Sequence, residues 1–188
     1  MACAGAGLAF SMKTLLQVTD TLAIVDGDIL RSDMQTLTVP VNTVGVMGKG
    51  LALQVKLRYP DAHTEYQQAC RQGLLAMGKP YLYKPKADRW FLLFPTKRHW
   101  REDADLAGIE EGLRWLLASY KALGIASLAV PALGVGLGRL PWSSVGPLMC
   151  RYLAKLDIPV ALYLPWERNI APLELLTPLC KANQVYGL

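Results

Sequence analysis

Cysteine and histidine are scarce in this chain, and their spacing matches no metal-binding pattern. The 188 residues include four cysteines and two histidines: Cys3, Cys70, Cys150, Cys180, His63 and His99. The cysteines are far apart and form neither a CxxC pair nor the Cys/His spacing of a zinc site. We therefore expect free thiols, as in a reducing cytoplasm, and no bound metal.

Long apolar runs are also missing. No stretch reaches the ~18 apolar residues that a membrane-spanning helix needs. The N-terminal segment MACAGAGLAFSM lacks the basic residues and the long apolar centre of a signal peptide. We expect residues 1–11 to be a leader outside the fold, residues 12–166 to form one domain, and residues 167–188 to be a C-terminal tail. The predicted location is the cytoplasm, away from membranes.

Charged residues make up only 19% of the chain, against 52% hydrophobic residues. This balance excludes an intrinsically disordered protein, and a chain of this size buries a core without disulfides. The net charge of +5 is compatible with an anionic ligand or with nucleic acid, and also with an ordinary, slightly basic protein. We expect a monomer.

Short apolar segments alternate with longer amphipathic ones along the chain. We predict strands at 15–18, 22–26, 37–41, 80–84, 90–95, 125–133 and 158–165, and helices at 50–59, 61–73, 104–123 and 141–157. The fourth and fifth strands read as a hairpin, and Ser143 or Ser144 is the expected cap of the last helix. The alternation predicts an α/β domain with a largely parallel sheet.

Two glycine-rich loops follow predicted strands, NTVGVMGKG at 42–50 and LGVGLGRL at 133–140. Ligands of open α/β sheets bind beyond the carboxyl ends of the strands. Glycines there let backbone N–H groups approach an anion, although a tight turn alone also needs glycine. Two such loops together favour a clasp around a diphosphate over two simple turns.

Neither loop has the spacing of a familiar nucleotide-binding fingerprint. A P-loop needs four residues between its glycines and a hydroxyl after its lysine, whereas two residues separate Gly45 from Gly48, and Gly50 follows Lys49. The Rossmann pattern GxGxxG is not matched either. The loops therefore predict a phosphate ligand outside these two classes.

Two further stretches contain candidate polar residues. FPTKRHW at 94–100 places Lys97 directly after an apolar strand. A lysine at the mouth of a cleft is partly desolvated, which lowers its pKa and makes the neutral amine available, although a solvated basic loop would have the same composition. DGDIL at 26–30 ends another strand, and Asp28 there is either a turn or helix-capping residue or an acceptor for an adenine amino group.

Taken together, the runs GDIL, VNTVGVMGKGLALQ, FPTKRHWR and VPALGVGLGRLPW resemble the macrodomain family over about residues 13–166. Within that family the chain looks most like the DarG type, in which the macrodomain removes ADP-ribose that a DarT-type toxin places on thymidine in DNA. It is more distantly similar to the human terminal ADP-ribose protein glycohydrolase. The resemblance implies a three-layer α/β/α sandwich on a six-stranded mixed sheet.

The resemblance also implies a role for individual residues. Lys97 would be the catalytic lysine, and Asn42 would contact the distal ribose near the scissile bond. The remaining ADP-ribose contacts would be Asp28 and Ile29 at the adenine, Gly45, Val46, Met47, Gly48, Lys49 and Gly50 at the ribose and a phosphate, Pro131, Leu133, Gly134, Val135, Gly136, Leu137 and Gly138 at the diphosphate, and Trp166 beside the adenine. Arg98, His99 and Arg101 are expected to contact DNA.

One departure from the family pattern affects the predicted chemistry. Gly138 stands where the human relative has a catalytic aspartate, so the lysine–aspartate mechanism of that enzyme does not transfer whole. The favoured function is a DNA ADP-ribosyl glycohydrolase antitoxin that needs no cofactor, with ADP-ribose as ligand and product. The alternatives are a non-catalytic ADP-ribose reader, a hydrolase of protein-linked ADP-ribose esters, and a general nucleic-acid binder.

Overall fold

The computed structural model describes residues 13–85 and 89–164. The strands are β1 (Lys13–Gln17), β2 (Leu22–Asp26), β3 (Thr36–Asn42), β4 (Tyr81–Tyr83), β5 (Trp90–Lys97), β6 (Leu128–Pro131) and β7 (Val160–Tyr163). The α-helices are α1 (Gly50–Arg58), α2 (Pro60–Arg71), α3 (Leu106–Leu123) and α4 (Trp142–Leu153), and short 3-10 helices span Ile29–Arg31 and Gly136–Gly138. The predicted leader and tail lie outside the described residues.

The seven strands form one mixed sheet in the order β1-β2-β7-β6-β3-β5-β4. The five central strands run parallel, while β1 and β4 pair antiparallel at the two edges. The largely parallel sheet and the β4–β5 hairpin are therefore confirmed. The family resemblance implied six strands, and that count is wrong for this chain. All seven segments predicted to be strands pair into the sheet.

Helices cover both faces of the sheet, as the three-layer prediction requires. Alternate residues of β5 point to opposite faces, so Leu92 and Phe94 pack with α3 and α4, whereas Phe91 and Leu93 pack with α1 and α2. All four of these side chains are buried. Burial on both faces explains why the central strands read as continuous apolar runs.

Helix α3 lies unusually close to β5, and this contact positions the loop between them. A Cβ atom on Gly112 would lie 2.5 Å from the ring of Phe94, so only glycine permits the observed approach. The helix begins where the Asp105 carboxylate accepts a hydrogen bond from the Gly108 N–H at 3.1 Å, and it ends at Gly124 with φ of 74°. The loop 98–105 is thereby held between two fixed elements.

The start of α4 differs from the prediction. Its N-cap is Pro141 rather than Ser143 or Ser144, and the helix ends at Leu153 rather than at residue 157. Pro147 lies inside the helix, beyond its first turn, where it cannot donate a hydrogen bond to the Ser143 carbonyl. Among the described residues, no helix is long and apolar enough to cross a membrane, and Cys70 and Cys150 are free thiols.

Candidate active site

The carboxyl ends of the five parallel strands meet at one edge of the sheet, and every described candidate residue lies at that edge. The loops that leave β3, β5 and β6 span residues 43–49, 98–105 and 132–141, and they are neighbours because β6, β3 and β5 are adjacent in the sheet. The prediction that both glycine loops follow strands with a common direction is confirmed.

The first glycine loop is built around the side chain of Asn42, which is only 6% exposed. Its Oδ1 accepts hydrogen bonds from the N–H groups of Val44 at 3.1 Å and Val46 at 3.2 Å, and its Nδ2 donates to the Val46 carbonyl at 2.7 Å. The hydroxyl of buried Tyr66 lies 2.9 Å from the same Oδ1 and 2.8 Å from the Asn42 carbonyl. Asn42 therefore shapes the loop, and one Nδ2 hydrogen is left for a ligand.

The two candidate catalytic residues are direct neighbours in the sheet. In the parallel pairing of β3 with β5, Asn42 is the register partner of Lys97, after a register shift at Val41. The next residues are tied as well, because the N–H and the hydroxyl of Thr43 both donate to the Arg98 carbonyl, at 3.1 and 3.0 Å. Hydrogen bonds therefore hold the loops after β3 and β5 next to each other.

Lys97 reaches from β5 across to the second glycine loop. Its Nζ donates to the carbonyl of Glu102 at 2.7 Å and to that of Leu137 at 3.1 Å. Desolvation by partial burial lowers the pKa of this amine below its ordinary value. The neighbouring Arg139 guanidinium lowers the pKa further, while the carboxylates of Asp103 and Glu102 oppose the shift. The prediction of a partly desolvated lysine is confirmed.

The second glycine loop combines one tightly packed glycine with one open glycine. A Cβ on Gly134, where φ is 73°, would lie within 3 Å of the side chains of Ile109, Ala104 and Leu140. Gly136 has φ of 68° but has no atom within 4 Å of the same position, so its backbone faces open space. The loop is closed by a hydrogen bond from the Leu140 N–H to the Gly134 carbonyl at 3.1 Å. An exposed backbone on a fixed turn is suited to an anion.

Gly138 is buried against the loop that follows Lys97. A Cβ here would lie 2.9 Å from the Cβ of Ala104, and the Ala104 N–H donates to the Gly138 carbonyl at 2.9 Å. There is no room at this position for the aspartate of the human relative. The next residue, Arg139, forms an ion pair with Asp103 at 3.1 Å and adopts a left-handed backbone with φ of 62°.

Some predicted contact residues have their side chains in the core. Met47 is 2% exposed and Leu133 is fully buried, so neither residue presents its surface to a ligand in this structure. Val46 and Leu137 are 40% and 63% exposed. The other predicted loop residues, Gly45, Gly48, Lys49, Gly50, Pro131 and Val135, lie in or beside the two loops as the sequence indicates.

The predicted adenine end lies at the carboxyl end of β2, three strands away from β3. Asp28 caps the 3-10 helix there, since its Oδ1 accepts from the Leu30 N–H at 3.0 Å, and its other oxygen lies 3.7 Å from Nε of Arg31. The capping interpretation is therefore confirmed, and a role at the adenine stays a prediction. Ile29 is 9% exposed, and Trp166 lies outside the described residues.

Several contributors were not found by sequence reasoning. Tyr66, Asp103 and Arg139 act through contacts between segments that are distant along the chain, so no local pattern marked them. A cavity of about 330 Å³ also lies behind the first glycine loop, between Gly45 and Cys70 of α2. Among the described residues, no group of three or more histidine, cysteine or acidic side chains is placed to hold a metal ion.

Comparisons with known proteins agree with this geometry. The family model described as "Macro domain" matches residues 39–149. The chain is 53% identical to a Thermosipho africanus protein named DNA ADP-ribosyl transferase-DNA ADP-ribosyl glycohydrolase fusion protein, and the match covers 85% of this chain and 46% of that protein. A Thermus aquaticus protein named DNA ADP-ribosyl glycohydrolase is 39% identical, with 88% of this chain and 50% of that one covered. The chain thus spans about half the length of the curated relatives it matches.

Solved structures of related proteins are also similar to this chain. Thermosipho africanus DarTG in complex with ADP-ribose superposes with a TM-score of 0.82 and 55% identity over 88% of this chain and 46% of that chain. The macrodomain of Mycobacterium tuberculosis DarG superposes with a TM-score of 0.74 and 41% identity, over 77% of this chain and 98% of that one. The glycine loops, the parallel strands and these matches together show that the chain belongs to the macrodomain family.

Proposed function

We propose that this chain is a DNA ADP-ribosyl glycohydrolase, which binds ADP-ribose and releases it from a nucleobase in DNA, with thymidine as the favoured base. The observation that carries the proposal is the pairing of Asn42 with Lys97 at adjacent strand ends, with the Lys97 amine partly desolvated and hydrogen-bonded to the second glycine loop. The names of the curated relatives support the same activity.

In the proposed binding mode, ADP-ribose lies along the carboxyl edge of the sheet. Asp28 and Ile29 hold the adenine, and backbone N–H groups of the loop around Gly136 hold the diphosphate. The loop built on Asn42 holds the distal ribose. Contacts far from the reacting carbon would supply binding energy that fixes the ribose against Lys97.

The proposed reaction breaks the bond between C1″ of the distal ribose and the base nitrogen. The neutral Nζ of Lys97 attacks C1″, the electron pair of the broken bond passes to the base nitrogen, and that nitrogen takes up a proton. Water then attacks C1″ of the adduct, releases ADP-ribose and restores the amine. In an alternative version, protonated Lys97 stabilises the departing base while water attacks directly.

The substrate would be produced by a DNA ADP-ribosyl transferase of the DarT type. This part of the proposal is supported by the Thermosipho africanus relative, whose name joins such a transferase to a glycohydrolase in one chain. Arg98, His99 and Arg101 are proposed to face the DNA because they follow Lys97 directly on the loop after β5.

Replacing the lysine tests the proposal. We expect Lys97→Ala to reduce release of ADP-ribose from a thymidine-linked oligonucleotide by at least about 100-fold, because both versions of the mechanism need the amine. Calorimetry should show nearly unchanged affinity for free ADP-ribose. Lys97→Arg is the control that separates the versions, since it keeps the charge but has no neutral amine. Full turnover by Lys97→Ala would contradict both.

A second candidate, a non-catalytic ADP-ribose reader, is favoured by the packing of Gly138 against Ala104, which excludes an aspartate there. The same assay distinguishes it, because a reader would bind free ADP-ribose but release none from thymidine-linked or guanosine-linked oligonucleotides. A protein substrate with ADP-ribose on a glutamate ester serves as the third arm. Turnover of that substrate alone would move the assignment to protein-linked esters.

A further inference from the structure

Exposed apolar side chains cluster around the candidate cleft. Six large hydrophobic residues are exposed among those the structure describes, and four of them, Val44, Val46, Trp100 and Leu137, lie on loops at the carboxyl edge of the sheet. Trp100 stands out because an indole is large and flat, and it is 47% exposed on the loop that follows Lys97. An exposed aromatic side chain beside a site can serve as a surface on which a nucleic-acid base stacks.

The turn that presents Trp100 is fixed by hydrogen bonds on both sides. The Glu102 N–H donates to the His99 carbonyl at 3.1 Å, and the Glu102 carboxylate accepts from the His99 N–H at 3.2 Å. The Arg101 N–H donates to Nδ1 of His99 at 3.3 Å. Thr43 binds the Arg98 carbonyl from the neighbouring loop. The indole therefore projects from a preorganised turn.

Two other flat groups, the His99 ring and the Arg101 guanidinium, lie close to the Trp100 ring. The rings of His99 and Trp100 have centroids 5.3 Å apart with an interplanar angle of 32°. The guanidinium of Arg101 lies 4.5 Å from the centre of the Trp100 ring. An aromatic ring and an arginine cation are groups that sites for single-stranded nucleic acids combine, and a base would stack on the indole surface that Arg101 does not cover.

The loop 98–105 carries two arginines and three acidic residues. Its acidic groups are engaged within the protein: Asp105 with Arg98 and the start of α3, Asp103 with Arg139, and Glu102 with the His99 N–H. Their negative charge is thereby partly offset, while Arg101 contributes its cation to the Trp100 ring. A phosphate contact in this loop would therefore depend on Arg101 itself rather than on the net charge of the loop.

Trp100 lies close enough along the chain to Lys97 to meet a neighbouring nucleotide. Trp100 is three residues beyond Lys97, so its Cα lies within ~10 Å of the Lys97 Cα. Stacked bases follow one another at ~3.4 Å, and an extended strand spaces them further apart. A base one or two positions from the modified nucleotide therefore falls within reach of the indole.

We propose that Trp100, with His99 and Arg101, forms a stacking platform for an unpaired base adjacent to the ADP-ribosylated nucleotide. The preferred substrate is then a single strand with neighbouring bases, rather than a modified nucleoside alone. The expected effect of the platform on catalysis rests on the proposed function. The platform itself is a specificity-determining site outside the ADP-ribose cleft.

The test compares three substrates that carry the same thymidine-linked ADP-ribose: the nucleoside, a single-stranded decamer, and the decamer with abasic sites on both sides. For the wild-type chain we expect kcat/KM to be about tenfold or more higher for the decamer than for the other two, given the strength of base–aromatic stacking. Trp100→Ala should remove that preference, and Trp100→Phe should restore most of it. Leu57→Ala is the control, because it removes another exposed apolar side chain, on α1 and outside the platform; Leu57 is 72% exposed.

Binding of an unmodified labelled decamer by fluorescence anisotropy tests the platform independently of turnover. Loss of this binding in Trp100→Ala, but not in Leu57→Ala, supports the platform even if no ADP-ribosyl DNA is hydrolysed, in which case only the proposed function fails. Equal losses on the nucleoside and the decamer would overturn the platform. An unchanged kcat/KM preference for the decamer together with unchanged decamer binding in Trp100→Ala would also overturn the platform. The same conclusion holds if that variant loses only its binding to a transferase protein.

Discussion

At the scale of single residues, the candidate site depends on what surrounds each polar group. Asn42 and Lys97 could be proposed from the sequence, because both follow apolar strands and match a family pattern. Their environments could not, because the Tyr66 hydroxyl, the Asp103 carboxylate and the Arg139 guanidinium come from other segments. Local sequence patterns carry no information about such contacts.

The surroundings of Lys97 lead to a prediction about pH. A lowered pKa means that the neutral amine forms at lower pH than for an ordinary lysine, whose pKa is 10.5. If the amine is the nucleophile, kcat should rise with pH, and the midpoint of that rise should lie below 10.5. Lys97→Ala should show no such limb in its residual rate.

Two substitutions near Lys97 test whether its amine is the group that titrates in the pH–rate profile. Asp103 raises the pKa of Lys97, so Asp103→Asn should move the rising limb to lower pH. Arg139 lowers the same pKa, so Arg139→Gln should move the limb to higher pH. Shifts in opposite directions in a pH–rate profile would identify the titrating group as Lys97. A rate that falls with pH over the same range would instead support the protonated, electrostatic role.

At the scale of elements, close packing of α3 on β5 determines where the Lys97 loop begins. We expect Gly112→Ala to destabilise the protein by up to about 2 kcal/mol. The added methyl group would overlap the Phe94 ring, and overpacking of this kind costs ~1–3 kcal/mol, which exceeds the ~1 kcal/mol that alanine gains in helix propensity.

Urea unfolding of Gly112→Ala measures this cost. Ser119→Ala, in the same helix, is the control for helix propensity, and it should be neutral or slightly stabilising. A Gly112→Ala variant more stable than the wild type would show that α3 can shift away from β5 without loss of packing.

The elements themselves were largely predictable, and their ends were less so. The apolar segments predicted all seven strands, and β2 has the predicted bounds. The strand predicted at 125–133 shortens to Leu128–Pro131 because only those residues find partners in the sheet. The serines predicted to cap α4 instead lie inside it, since Pro141 already has the extended backbone of an N-cap.

At the scale of the whole molecule, ligand binding and stability should be linked. A ligand that binds only the folded state raises the free energy of unfolding by mass action. We expect ADP-ribose to raise the thermal midpoint of the wild-type chain. Gly136→Ala should reduce that rise strongly, because its methyl group would project into the space assigned to the diphosphate.

Gly73→Ala provides a closely matched control for this variant. Gly73 and Gly136 have φ of 66° and 68°, and neither has an atom within 4 Å of an added Cβ. Both alanine variants should therefore lose a similar ~1 kcal/mol of stability to the left-handed backbone without ligand. Only Gly136→Ala should lose the response to ADP-ribose, and an equal response in the two variants would contradict the diphosphate assignment.

The pairing of Asn42 with Lys97 has a consequence for how the chain could be divided. The two residues belong to opposite halves of the sequence, and Gly73 is exposed between them, at the end of α2. A chain cut there would yield one fragment with Asn42 and another with Lys97, and β3 would have to insert between β5 and β6 of the other fragment. Catalysis by the mixture would then report on reassembly of the sheet, so this fold is suited to a split-protein sensor.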